Sequence, residues 1–225
     1  AERLGFDSVL FTDHMWSRGL PGLDHLEVWT LMTAIAAVTE RIRVGTLVLC
    51  NSFRNPALLA KMAASLDVVS GGRLVFGIGA GWMEEEYAAY GYHFPSTKVR
   101  IEQLEEALEI IKRLFTVDSA PFQGKYYAVR DAVNLPRPVQ RPHPPILVGG
   151  GGERRMLRIV ARYADVWHCP NNHAAELPRR LEALRAHCAA VGREPNEIEI
   201  SEQCVIVIGR DERDFREKYE AARRT

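Results

Sequence analysis

An excess of charge of one sign, long apolar runs and paired cysteines are what this sequence lacks. Its 29 basic and 29 acidic residues cancel, with no one-sided block. That argues against nucleic acid or an anionic membrane as the main partner, because both select a cationic surface. No apolar run approaches the ~20 residues that cross a bilayer, and no leader-like stretch opens the chain. The four cysteines (Cys50, Cys169, Cys188 and Cys204) are scattered without a C-x-x-C pair. They suit a reduced, cytoplasmic protein better than a disulfide framework or a zinc site.

Several chemical signatures are missing too. No G-x-S-x-G elbow exists, so Ser-His-Asp hydrolysis has no anchor. Gly124-Lys125 runs into Tyr126 without the upstream glycine of a P-loop, and a G-x-G-x-x-G beginning at Gly77 fails at Trp82. Among the histidines only His168, with Cys169 and His173, forms a close group, and its spacing matches no common zinc motif. No internal repeat or low-complexity tract is present.

What is present is an alternation of short apolar runs and amphipathic segments, the rhythm of a parallel α/β fold. Its organising stretch is Ser70 to Trp82. Ser70-Gly71-Gly72 ends a helix, Leu74 to Ile78 reads as a strand buried on both faces, and Gly77, Gly79 and Gly81 bare the backbone at its end. Upstream, the spacing predicts strands over 6–12 and 44–50 and helices over 26–39 and 55–69. Asn55-Pro56 starts the second helix as a cap followed by proline in the first turn. Gly19, Pro21 and Gly22 mark the loop after the first strand.

Downstream, Glu84-Glu85-Glu86 reads as the solvated first turn of a short helix. A long amphipathic helix carries Ile101, Leu104, Leu108, Ile111 and Leu114. Residues 117–145 break the rhythm with a hairpin at 122–127 and a stiff proline-rich run, and read as a surface insertion in a single domain spanning 1–225. Strands at 145–148 and 164–168 follow, then a helix over 177–191 stopped at Gly192, a strand within 198–208 and a final helix capped by Asp211. The loop Cys169-Pro170-Asn171-Asn172 ends the strand at 164–168.

Glycines and polar residues gather where these strands end, at Asp13-His14, Asn51, Gly79-Gly81 and Gly149-Gly152. Several strands contributing at one rim is the logic of a (β/α) barrel. Gly149 to Gly152, followed by a helix from Glu153, forms the best anion site in the chain, because free amides at a helix N-terminus favour a phosphate. The competing reading is a plain flexible loop. His14 can move a proton near neutral pH, and from residue type alone a structural histidine fits equally well. Trp82 is a wall for the same space or a core residue.

Taken in order, Gly5-Phe6-Asp7-Ser8, Asp13-His14, Arg41 to Thr46, Asn55 to Lys61, Leu66 to Trp82, Pro138 to Pro142, Pro145 to Gly150 and Ala164 to Trp167 resemble the luciferase-like monooxygenase superfamily. Within it they resemble the F420-dependent oxidoreductases. The resemblance implies a TIM-like (β/α)8 barrel with an insertion after the fourth strand. It implies a deazaflavin, F420, bound at the carboxyl ends of the strands, with His14 catalytic. Asp13, Leu47, Val48, Cys50, Asn51, Gly79, Gly81 and Trp82 would surround the ring, and Gly149, Gly150, Gly151 and Gly152 would hold the phosphate. Relatives often carry a non-prolyl cis peptide in the third strand, which would fall near Leu47-Val48.

The resemblance leaves rivals: an FMN-dependent monooxygenase served by a separate reductase and oxygen, or a barrel that binds a flavin without catalysis. A small-molecule substrate is implied, its identity set by the loops after Asp13, after Trp82 and within 117–145. Trp82 stands where the sugar-phosphate dehydrogenases carry a catalytic glutamate, which argues against that substrate. By count, the chain lacks a first and a last strand of the barrel. The helices over 26–39 and 55–69 carry enough apolar surface to bury a second copy in a homodimer.

Overall fold

A computed structural model of the chain describes residues 1–16, 22–117, 121–170, 175–203 and 206–223. Gly19 and Pro21 of the first loop, Asn171, Asn172 and His173, and Cys204 lie outside the described residues. In chain order the elements are β1 (Ser8–Phe11), α1 (Val28–Val38), β2 (Arg43–Thr46), β3 (Leu49–Cys50), α2 (Pro56–Val69), β4 (Leu74–Gly79), α3 (Glu84–Ala89) and α4 (Thr97–Thr116). The small strands β5 (Phe122–Gln123) and β6 (Ala128–Val129) follow. Then come β7 (Ile146–Gly149), α5 (Met156–Tyr163), β8 (Val166–Cys169), α6 (Leu177–Val191), β9 (Glu199–Glu202) and α7 (Glu212–Ala222).

The main sheet is parallel throughout, in the order β1-β2-β4-β7-β8-β9, with β3 also pairing to β4. Its carboxyl ends therefore share one rim. Every residue of β4 is buried, as expected for a strand covered on both faces. Leu74, Phe76 and Ile78 join Met32 of α1, Leu59 and Ala63 of α2, Leu104, Leu108 and Ile111 of α4, and Trp167 of β8 in one core cluster. Burying each of the larger of these side chains stabilises the fold by about 1.5–3 kcal/mol.

Two glycines are dictated by the sheet itself. A Cβ on Gly77 would lie 1.8 Å from the Thr46 carbonyl oxygen, and one on Gly45 would lie 2.3 Å from that of Val75. Thr46 Oγ1 donates to the Gly77 carbonyl at 2.7 Å, cross-linking the strands at the same point. The capping logic also appears in the geometry. Asn55 accepts from the amides of Ala57 and Leu58, and Gly71 and Gly72 take φ of 67° and 84° after α2.

The structure corrects two boundaries. The run at 44–50 is two strands, split by a cis Leu47–Val48 peptide. The helix expected from Glu153 begins at Met156, with residues 153–155 forming a turn. The hairpin at 122–129 is pinned to α4 by Glu106, whose carboxylate accepts from the amides of Lys125, Tyr126 and Tyr127 at 2.8, 2.9 and 3.1 Å. Buried Asp67 anchors the proline-rich run by accepting from Gln140 N and Nε2.

Candidate functional site

A cavity of about 680 Å³ opens at the carboxyl rim, and the ends of β1, β3, β4, β7 and β8 all reach it. The arrangement follows from the parallel sheet: each strand delivers its last residue and following loop to the same side. Of the residues singled out in the sequence, Asp13, His14, Leu47, Val48, Cys50, Gly79, Gly81, Trp82, Gly149 and Gly150 line it.

Asn51, Gly151 and Gly152 do not line it. Asn51 is buried, and its Nδ2 donates to the Tyr127 hydroxyl at 3.2 Å. Gly151 is turned toward α6: its carbonyl accepts from Arg180 at 2.5 Å, and a Cβ on it would collide with that guanidinium.

Several of the bare glycines make room for the protein's own side chains. Val48 fills the space beside Gly79 and Gly149, where added Cβ atoms would lie 2.8 and 3.1 Å from its methyl groups. Gly81, at φ 75°, leaves space for Tyr87 and Cys50, whose hydroxyl and thiol lie 3.0 Å apart. Burial pushes the Cys50 thiol up to about 11, only partly offset by the Tyr87 hydrogen bond, and burial likewise raises the Tyr87 hydroxyl. Both therefore stay protonated at neutral pH.

Asp13 is 6% exposed and fully engaged. Its carboxylate accepts from Cys50 N at 2.8 Å and from both terminal nitrogens of Arg54 at 2.7 and 3.0 Å. Burial opposes the Arg54 charge, but the carboxylates of Asp13 and Glu27 more than compensate and raise its pKa. This network ties the end of β1 to β3.

His14 stands beside it on the cavity wall. Its Nδ1 lies 2.9 Å from Glu86 Oε2, and the Trp82 ring meets it edge-on at 5.8 Å. Glu86 is 2% exposed and also accepts from Met15 N at 2.8 Å. The solvated acidic turn expected from the sequence is thus wrong at this position. One of three adjacent glutamates is buried against a residue 72 positions earlier, and nothing local in the sequence distinguishes it from its neighbours.

His168 is a second residue the sequence did not assign to the cavity. It lines the wall, pairs with Ser201 Oγ at 3.3 Å, and burial depresses its pKa, favouring the neutral ring. Among the described residues, no cluster of three or more His, Cys, Asp or Glu side chains could hold a metal ion.

Two features bear on an anionic ligand. Among the described residues, the amides of Gly151, Gly152 and Glu153 meet no acceptor, and α5 begins at Met156 after Arg155, which supplies no side-chain cap. Unsatisfied amides in the turn that leads into a helix suit a phosphate. The wall formed by Leu47, Val48, Gly79 and Trp82 suits a flat ring system, so the residues present fit a flavin or deazaflavin with a phosphorylated tail.

Known proteins resemble this chain in sequence and in fold. The chain is 35% identical over 184 residues to an F420-dependent glucose-6-phosphate dehydrogenase of Amycolatopsis mediterranei strain U-32, covering 79% of the chain and 53% of that protein. It is 32% identical over 193 residues to an FMNH2-dependent dimethylsulfone monooxygenase of Pseudomonas putida, covering 85% of the chain and 52% of that protein. The chain thus spans about half the length of these relatives. Its fold matches a solved F420-dependent secondary alcohol dehydrogenase in complex with an F420–acetone adduct, with a TM-score of 0.81 at 24% identity. That match covers 89% of this chain and 61% of the other, and it shows that the curled parallel sheet is part of a TIM-like barrel. The profile of the luciferase-like monooxygenases matches residues 1–225 from end to end, and the chain belongs to that family.

Proposed function

We propose that the protein is an oxidoreductase that moves a hydride between coenzyme F420 and a small organic substrate. The observation that carries this reading is the single cavity wall holding a carboxylate-backed histidine, His14, at the end of β1 and a glycine-lined stretch at the end of β7. A bound deazaflavin supplies the hydride chemistry, and the protein supplies orientation and the proton. Leu47, Val48, Gly79 and Trp82 would hold the ring. The free amides of Gly151 to Glu153 would bind the phosphate, with Arg180 fixing their loop. His14 would exchange a proton with the substrate atom next to the reacting carbon, and the apolar walls would exclude water.

A second reading has support of its own, because the dimethylsulfone monooxygenase relative uses FMNH2. Under it the ring site is the same, the cofactor is reduced FMN delivered by a separate reductase, and oxygen is the co-substrate. Under both readings the proposal places the protein in the cytoplasm. A homodimer is part of the proposal: Val38 of α1 and Leu58, Val68 and Val69 of α2 are exposed apolar residues on its two candidate helices.

Fluorescence titration of the full-length protein with F420 and, separately, FMN tests the cofactor. Binding of F420 alone supports the first reading, preference for FMN the second, and binding of neither by a folded protein overturns both. His14→Ala is expected to abolish turnover while leaving cofactor binding intact; unchanged turnover would remove His14 from the chemistry.

A further inference from the structure

We infer that Glu86 is a positioning residue that fixes the His14 tautomer, so that the nitrogen His14 presents to the cavity is a bare hydrogen-bond acceptor. This rests on the proposed role of His14 in proton transfer. A carboxylate can only accept, and Glu86 does so twice, at Oε1 from Met15 N and at Oε2 from His14 Nδ1. In the neutral ring the proton must then sit on Nδ1, leaving Nε2 unprotonated. Among the described residues Nε2 has no partner, and the ring, with its side chain 27% exposed, lines the cavity.

Burial sharpens the assignment. Glu86 is 2% exposed, so a carboxylate oxygen facing a second acceptor there would be left without a donor. The Met15 amide, a donor that cannot change its character, holds one carboxylate oxygen and orients the other toward His14. Because Met15 follows His14 directly, the same glutamate fixes both the backbone and the ring of this turn. A ring delivered in this state takes a proton from its ligand at Nε2, so the substrate group facing it carries a proton to give, as a hydroxyl does.

The substitution Glu86→Gln tests this sharply, because a primary amide offers one acceptor and one donor where the carboxylate offers two acceptors. Met15 N–H must keep the amide oxygen. The amide nitrogen then donates to His14 Nδ1, which has to become the bare nitrogen, and the ring proton moves to Nε2. The tautomer should invert.

The measurement is nitrogen-15 NMR of the histidine rings in the full-length protein, without cofactor or substrate, at a pH where His14 is neutral, with His14→Asn identifying the signals. The expected result is an Nδ1–H ring in the wild type and an Nε2–H ring in Glu86→Gln, with the Met15 amide protected from exchange in both. An Nε2–H ring in the wild type overturns the inference, whatever the variant does. So does a Glu86→Gln protein that keeps the Met15 amide protected and leaves Nε2 bare. Turnover in the variant should fall by about 10²-fold or more at unchanged cofactor affinity. Failure of the wild type to bind either cofactor would sink the oxidoreductase reading while leaving the tautomer result to judge Glu86 by itself.

Discussion

Replacing Asp13 by alanine removes the anchor of the rim without touching the hydrophobic core. The Asp13 and Arg54 side chains are 4% and 11% exposed, so the variant strands a buried guanidinium and leaves the Cys50 amide without its acceptor. Breaking a buried pair by deleting one partner typically costs about 3–5 kcal/mol. Glu27 still holds one Arg54 nitrogen at 2.7 Å, which places the expected loss at the low end, about 3 kcal/mol. For a domain of this size that is a fall of about 6–12 °C in Tm. Urea unfolding of the full-length protein, followed by circular dichroism, measures it. The double variant Asp13→Ala with Arg54→Leu should be less destabilised than Asp13→Ala alone, because no charge is then buried without a partner. A loss below about 1 kcal/mol for Asp13→Ala, or a double variant that simply sums the two single losses, would refute the view of this pair as a desolvated unit.

Two further outcomes are expected. Gly77→Ala would force a methyl group to within 1.8 Å of the Thr46 carbonyl oxygen, and should destabilise the protein by about 3 kcal/mol or more in the same unfolding assay. Cys50 should resist thiol reagents at pH 8 in the folded protein, because its thiol titrates only near 11. The sign of the stability effect follows: its folded pKa lies above the ordinary thiol value of 9.0, so its contribution is complete below pH 9 and is lost as the pH rises toward 11. Unfolding measured across that range in wild type and Cys50→Ala should show a steeper loss in the wild type.

The alternation of strands and helices, the caps at Asn55 and Asp211 and the stop at Gly71-Gly72 were legible in the sequence. They depend on contacts within a few residues, which the local chain specifies by itself. The clustering of Asp13, His14, Gly79, Trp82 and Gly149 at one rim was also legible, because parallel strands send their carboxyl ends the same way. The placement of Glu86 under His14, the turning of Asn51 toward Tyr127, the seating of Val48 against Gly79 and Gly149, and the capture of Gly151 by Arg180 were not. Each joins residues 29 to 101 positions apart or depends on which way one side chain points. The sequence by itself determined the elements and the rim on which they converge. Only tertiary packing decided which polar groups reach the cavity, because that choice rests on long-range pairings that satisfy buried donors and acceptors.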